Sequence, residues 1–392
     1  MAENGIFEEY ERIRDGVKYL SGGREYSRAE TEELLRSPDP FERVRAWDML
    51  RGGWAGLEDE LAGLLGRALA AEKAGGAAEV FGEDSGPLLE AAYSLRARLM
   101  EALELKAGRV GAPGFSCCDL WARLPAPADA QMPLAEGLRR LGLILDAAVD
   151  GGRGLIMEFF PGNRLVLEGE RPQCLPPDAS SPAVVRLPES FRGVYPSDLP
   201  VIAREIGRAV HCDMDSRAAG AARSPVFEDL LGYLFEEISW AGLRAEADDN
   251  AASELTFNRL PRLADDLLIA PATLELKEKA AAPAGNAPTP GAVKDMAEKV
   301  FLKWLGADAA GAGFWMRSGE LFRPGSFAGF AGLAGRFLSL GLLTGGRLSA
   351  AALEEAVSDT RALDLGAWLS RRAPGGWSSL SAGALYTVTG LR

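Results

Sequence analysis

Asp198-Leu199-Pro200-Val201-Ile202-Ala203-Arg204-Glu205-Ile206-Gly207-Arg208-Ala209-Val210-His211 is the stretch around which the rest of the chain is organised. At about 100° per residue, Ile202, Ile206, Ala209 and Val210 fall on one apolar stripe, and Arg204, Arg208 and His211 fall on the opposite side. The spacing predicts an amphipathic helix carrying two guanidiniums four residues apart, with Glu205 directly after the first. An arginine stays protonated at physiological pH and has no lone pair to offer a cation. The polar side reads either as a solvated face or as the lining of a cleft.

Two neighbouring stretches favour the cleft. Residues 183–190 read as a strand leading into the helix. Residues 235–252 read as a second helix on which Glu237, Trp240, Arg244 and Asp248 recur at helical spacing. Its acids can pair with the arginines of the first helix, so guanidinium–carboxylate contacts between the two helices are expected.

The pattern Arg204-Glu205-Ile206-Gly207-Arg208 resembles the active-site helix of zincin-type metallopeptidases. There, two histidines four apart hold zinc and the glutamate after the first serves as general base. Here the Glu and the Ile-Gly filler are kept and arginine stands at both ligand positions. The resemblance covers residues 150–270 and implies a zincin-like central region whose metal ligands are replaced. For the third ligand two alignments remain open. One uses Arg244, with Asp248 as the residue that would orient a ligand, and the other uses Glu237 or Glu246. Neither restores a metal site, and no cofactor is expected. In such peptidases the helical chain after the signature helices forms the other cleft wall, a role open to residues 292–392.

With 392 residues the chain exceeds what one hydrophobic core usually serves. Hydrophobic residues at 47% and charged residues at 25% are ordinary for a globular protein and exclude wholesale disorder. A formal net charge of -13 argues against a nucleic-acid partner held through phosphates and fits a soluble cytoplasmic protein. Cys117, Cys118, Cys174 and Cys212 show no paired metal spacing and read as reduced thiols. His211 is the single histidine, so a Ser-His-Asp or Cys-His site would have to be built on it, and no nucleophile motif lies near. The first ten residues lack the basic and apolar regions of a signal peptide. The most apolar stretch, 327–343, is broken by Arg336, so no membrane insertion is implied.

The expected fold is mainly α with a small β-sheet, in four regions: a helical segment 1–150, a zincin-like region 151–275, an Ala/Pro linker or loop 276–291, and a helical segment 292–392. Capping patterns at Ser27-Arg28-Ala29-Glu30 and Asp39-Pro40-Phe41-Glu42 anchor helices at 28–36 and 40–51, with others at 5–20, 56–73, 87–107 and 133–149. Residues 74–86 read as a surface loop. Apolar runs at 155–160 and 165–168 flank turn residues and predict a hairpin, followed by a Pro-rich loop at 170–182. Ser224-Pro225 is expected to open the second long helix, and Pro261 to end it or start the next turn. Val293, Met296, Val300, Phe301 and Trp304 share a helix face, while Phe327, Phe330, Phe337 and Leu340 read as core and the surrounding glycines as close helix packing.

Three functions fit. The first is a catalytically inactive, peptidase-like protein that binds a protein or peptide in the former cleft, with Arg204, Arg208 and Arg244 in place of the metal's charge. The second is an anion-binding enzyme or sensor that grips carboxylate or phosphate, with Glu205 as a base. The third is a helical scaffold subunit. The sequence leaves the oligomeric state open.

Overall fold

Local signals set most helix starts where the sequence places them. The Ser27 hydroxyl accepts the Glu30 amide, and the Glu30 carboxylate accepts the Ser27 amide, closing a capping box. Asp39 accepts the Phe41 amide with Pro40 in the first turn. A computed structural model of the chain describes residues 2–74, 85–124, 131–160, 164–169, 171–177, 181–217, 227, 229–281, 288–306, 313–323, 328–343, 347–362 and 365–380. Its backbone forms two units, residues 1–124 with 260–330 and residues 125–259 with 331–392, so each unit draws on two separate stretches of sequence.

The first unit begins with α1 (Ala2–Asp15), the hairpin β1 (Tyr19–Ser21) and β2 (Arg24–Tyr26), then α2 (Arg28–Leu35), α3 (Pro40–Trp54), α4 (Glu58–Ala74) and α5 (Ser85–Arg109). The helix expected over 5–20 therefore stops at Asp15. Gly22 and Gly23, at φ 58° and 79°, supply the two left-handed residues that a tight hairpin turn requires.

The second unit follows with β3 (Met132–Pro133), α6 (Leu134–Ala148), α7 (Gly152–Met157), β4 (Leu165–Leu167), β5 (Gln173–Leu175), β6 (Val184–Leu187), β7 (Gly193–Val194), α8 (Leu199–Arg217), α9 (Leu230–Glu246) and α10 (Asp249–Ala264). The expected hairpin at 155–168 is not formed. Its first run is helical, with Ile156 and Phe159 buried one turn apart, a spacing that a short apolar run does not distinguish from a strand. Its second run, β4, pairs parallel with β6, and β5 arises inside the expected surface loop and pairs antiparallel with β6. The sheet order is β4-β6-β5, leaving β5 as an edge. Pro261 lies within α10 rather than at its end, and the helix continues into a π turn at Asp265–Ile269. Ser224 and Pro225, most of the 74–86 segment and half of the 280–291 segment lie outside the described residues.

Beyond α10 the chain returns to the first unit with α11 (Ala270–Ala281) and α12 (Pro290–Leu305), whose buried face carries Val293, Val300, Phe301 and Trp304 as expected. The chain ends in the second unit with α13 (Ala328–Leu343), α14 (Ala350–Ala362) and α15 (Leu365–Arg372). Phe330, Phe337 and Leu340 are core, while Phe327 lies outside the described residues. The architecture is mainly α with small sheets, and among the described residues no helix is long and apolar enough to cross a membrane.

The tightest packing in the second unit is that of α8 on α9. A Cβ added at Gly207 would stand 2.3 Å from the Leu231 carbonyl oxygen, and one added at Gly232 would stand 2.8 Å from Arg208 Cγ. The two backbones touch at this point, which only glycine permits. Alanine at position 207 would gain about 1 kcal/mol of helix propensity, yet a main-chain carbonyl cannot rotate away as a side chain can. Overpacking costs about 1–3 kcal/mol, so Gly207→Ala should lower the unfolding free energy in a urea titration; an unchanged or raised midpoint would contradict the close crossing.

Candidate functional site

The crossing decides which side chains meet. Arg204 and Arg208 leave α8 on the side facing the start of α9, where Asp229 and Glu236 wait. Arg204 reaches Asp229 at 3.0 Å and Glu236 at 3.7 Å. Arg208 Nε reaches Asp229 at 2.6 Å, and its Nη1 reaches Glu205 at 3.3 Å. Deeper in, Arg336 of α13 bonds Glu236 at 3.2 Å and also Glu237, and Arg259 of α10 bonds Glu237 as well. The Arg204 and Arg336 guanidiniums lie over the Tyr233 ring at 4.1 and 4.4 Å, and Arg259 lies 5.4 Å from the Trp240 ring.

These four guanidiniums meet the four carboxylates of Glu205, Asp229, Glu236 and Glu237, so the cluster is balanced in formal charge. Most of it is shut from water: Glu236 and Glu237 are fully buried and Arg336 is 1% exposed. Arg208 is the exception, its side chain 33% exposed. Burial pushes the Glu205 carboxyl above its ordinary range, with Arg208 and Arg204 opposing and Asp229 adding to the rise; the Cys174 amide of β5 donates to this carboxylate. Burial alone would lower the Arg208 pKa, but Asp229 and Glu205 outweigh it and the guanidinium is held more firmly protonated. The Cys174 thiol is pushed up by a hydrogen bond with the Cys212 thiol and by burial.

The expected contacts between the two helices thus exist for Arg204 and Arg208, with different acids from those the sequence suggested. Glu237 is in the cluster but faces Arg259 and Arg336. Arg244, Glu246 and Asp248 are not in it: Arg244 lies two helical turns beyond Glu236, about 12 Å along α9. Glu246 is exposed and pairs with Arg140 at 2.9 Å, and Asp248 accepts the Ala251 amide to cap α10. Between the open choices for a third position, the one on the buried face of α9 is Glu237 with its neighbour Glu236. His211, expected beside the arginines, is fully buried in α8.

Asp229, Arg259 and Arg336 were not legible as site residues. The only sequence signal was Arg336 itself, a lone charge in an apolar helix that must find a partner when buried. As a metal site the residues do not fit. Guanidiniums at 204 and 208 offer no donor atom, and among the described residues no three His, Cys, Asp or Glu side chains form a group that could hold a metal ion.

The fold is shared with peptidases. A protein of Chlamydophila abortus assigned as a peptidase superposes with a TM-score of 0.76 at 12% identity, covering 100% of this chain and 73% of that one. Oligoendopeptidase F of Enterococcus faecium does so at 0.65 and 12%, covering 99% and 70%, and PZ peptidase A, solved with an inhibitor, at 0.64 and 13%, covering 100% and 76%. The sequence itself matches no protein-family model and no curated protein. The chain therefore has the oligoendopeptidase-type, metallopeptidase-like fold.

Removing one member of a buried ion network leaves its partners charged in a dry interior, at a cost of about 3–5 kcal/mol. Arg336→Met should destabilise the chain by that order in a urea titration, because it removes the guanidinium that Glu236 and Glu237 share and leaves Glu236 to Arg204 and Glu237 to Arg259. The raised Glu205 pKa means that the folded chain holds this proton more tightly than the unfolded one. Its stabilising effect is present at low pH and is lost as pH rises above the ordinary value of 4.5 through the folded value. Glu205→Gln should flatten that limb of the stability–pH curve, and an unaltered slope would deny the burial.

Proposed function

We propose that this chain is a catalytically inactive, metallopeptidase-like protein that binds peptide or protein segments, in the cytoplasm, at the α8–β5 face of its second unit. The observation that carries this reading is the ion network itself. On a peptidase fold, at the helical spacing where a zincin holds two metal ligands, stand two arginines neutralised by Asp229, Glu205 and Glu236. Their combined charge would take the place of a divalent cation, and the surrounding carboxylates would keep their counter-charge without a metal. Arg244, two turns away, has no part in this.

Two features support an extended peptide as the partner. Among the described residues β5 is an edge strand whose Cys174 amide already donates to Glu205, so an added strand would pair through the other backbone groups of that edge. Glu205 and Arg208 stand beside it, and Arg208 keeps enough exposure to meet a carboxylate on the incoming chain. The anion-pocket alternative is weaker, since no nucleophile or cofactor motif accompanies the arginines. The scaffold alternative leaves the shared fold without a role.

Metal analysis of the purified protein beside a peptidase assay on mixed quenched-fluorescence peptides tests the reading. Substoichiometric zinc and no hydrolysis are expected; stoichiometric zinc with turnover would overturn the inactive assignment. On immobilised peptide arrays, acidic extended sequences should be retained and Arg208→Glu should lose them by about tenfold or more. Equal retention by the variant would remove the site from consideration.

A further inference from the structure

The first unit contains a hollow of about 180 Å³ that belongs to neither the ion network nor the edge strand. Its size is well below the several hundred cubic ångströms typical of cofactor and drug sites, so it admits only a very small molecule. Trp54, Trp121, Phe314 and Tyr10 form the walls, and Trp121 stacks on Phe314 with centroids 5.5 Å apart. Two charged groups open into it: Asp265, on the π turn that follows α10, and Arg317.

Arg317 lacks the partner that a charge in such a setting normally has. Arg317 rests on rings alone, 4.9 Å from the centroid of Trp121 and 5.6 Å from that of Phe314, and its Nη1 is buried with no hydrogen-bond acceptor. Desolvation lowers its pKa, which is the mark of a cation missing a counter-ion. The other charges at the hollow are already engaged: Arg28 with Glu32 at 2.7 Å, and Arg14 with Glu11 and Asp15. Asp265 lines the hollow as an exposed carboxylate and makes no ion pair with Arg317. A space between an acid and a base that do not touch suits a molecule bearing both charges.

We propose that this hollow is a binding site for a small zwitterion of the α-amino-acid class, its carboxylate on Arg317 and its ammonium on Asp265, with its side chain against the aromatic walls. Trp54 and Arg317 also border a larger adjoining hollow of about 510 Å³. The acids Asp48, Glu58 and Glu298 line that side, which directs a ligand carboxylate to the smaller space.

Calorimetric titration of the full chain with leucine and phenylalanine, beside their N-acetyl and carboxamide derivatives, tests this without any variant. The free amino acids should bind, and each blocked form should bind about tenfold more weakly or worse. Asp265→Asn should abolish the preference over the N-acetyl form, and Arg317→Met should abolish the preference over the carboxamide. No binding of any compound, or equal binding of free and blocked forms, would overturn the proposal.

Discussion

Backbone-to-backbone contact between α8 and α9, allowed by Gly207 and Gly232, is the constraint on which the second unit depends. Two helices at ordinary separation hold their charged side chains apart by the thickness of the intervening apolar groups. Here the gap is closed, and Arg204 and Arg208 must lie along the flank of α9. Arg204, so confined, is held largely away from solvent, and its counter-ions come from within the unit. Asp229 and Glu236 supply them, and Arg336 and Arg259 then neutralise the remaining acids of α9.

A buried network of this size is not a cheap source of stability. Each ion loses its hydration, and well-packed apolar side chains of the same volume would often serve as well or better. What the network does provide is direction, since α8, α9, α10 and α13 are tied to one another at fixed points. A metal site ties helices in the same way, through a central cation and surrounding donors. On the reading proposed above, guanidiniums in place of that cation would keep the geometric restraint while giving up the Lewis acid. The balance of four positive against four negative groups explains why such an exchange is tolerable: with the acids alone, the interior would hold uncompensated charge.

The sequence revealed the frame of this arrangement more fully than its contents. The apolar stripe of α8, the helix carrying Glu237 and Trp240, and the strand at 184–187 were all legible, because each rests on a periodicity that a dozen residues suffice to define. The partners were not. Asp229 sits just before α9 without a capping hydrogen bond, and nothing local marks it as the acid that bridges both arginines. Arg259 and Arg336 lie 22 and 99 residues from Glu237, a separation that only the tertiary fold brings together. Arg244 and Asp248 were plausible because they continue a helical spacing. Spacing on one helix, however, says which residues share a face and not how far along that face the neighbouring helix extends. The misread hairpin at 155–168 has a related cause. Runs of four to six apolar residues satisfy either period, and Gly152, where an added Cβ would stand 2.7 Å from the Leu145 carbonyl, settles the matter through a close approach to α6 that sequence does not display.

The same distinction separates the two sites. In the second unit every guanidinium of the cluster has a carboxylate, so a partner arriving there competes with bonds already made. Recognition must then come chiefly from backbone pairing and shape, with charge deciding orientation. In the first unit Arg317 holds a buried N–H without an acceptor beside the hollow, and a ligand there gains a contact that the unbound chain lacks. Free energy available for binding is set by this difference between bound and unbound states rather than by the number of charges present. A saturated cluster favours a large, extended partner that brings many weak contacts. An unsaturated guanidinium beside an acid in a hollow of 180 Å³ favours a small molecule that brings two strong ones.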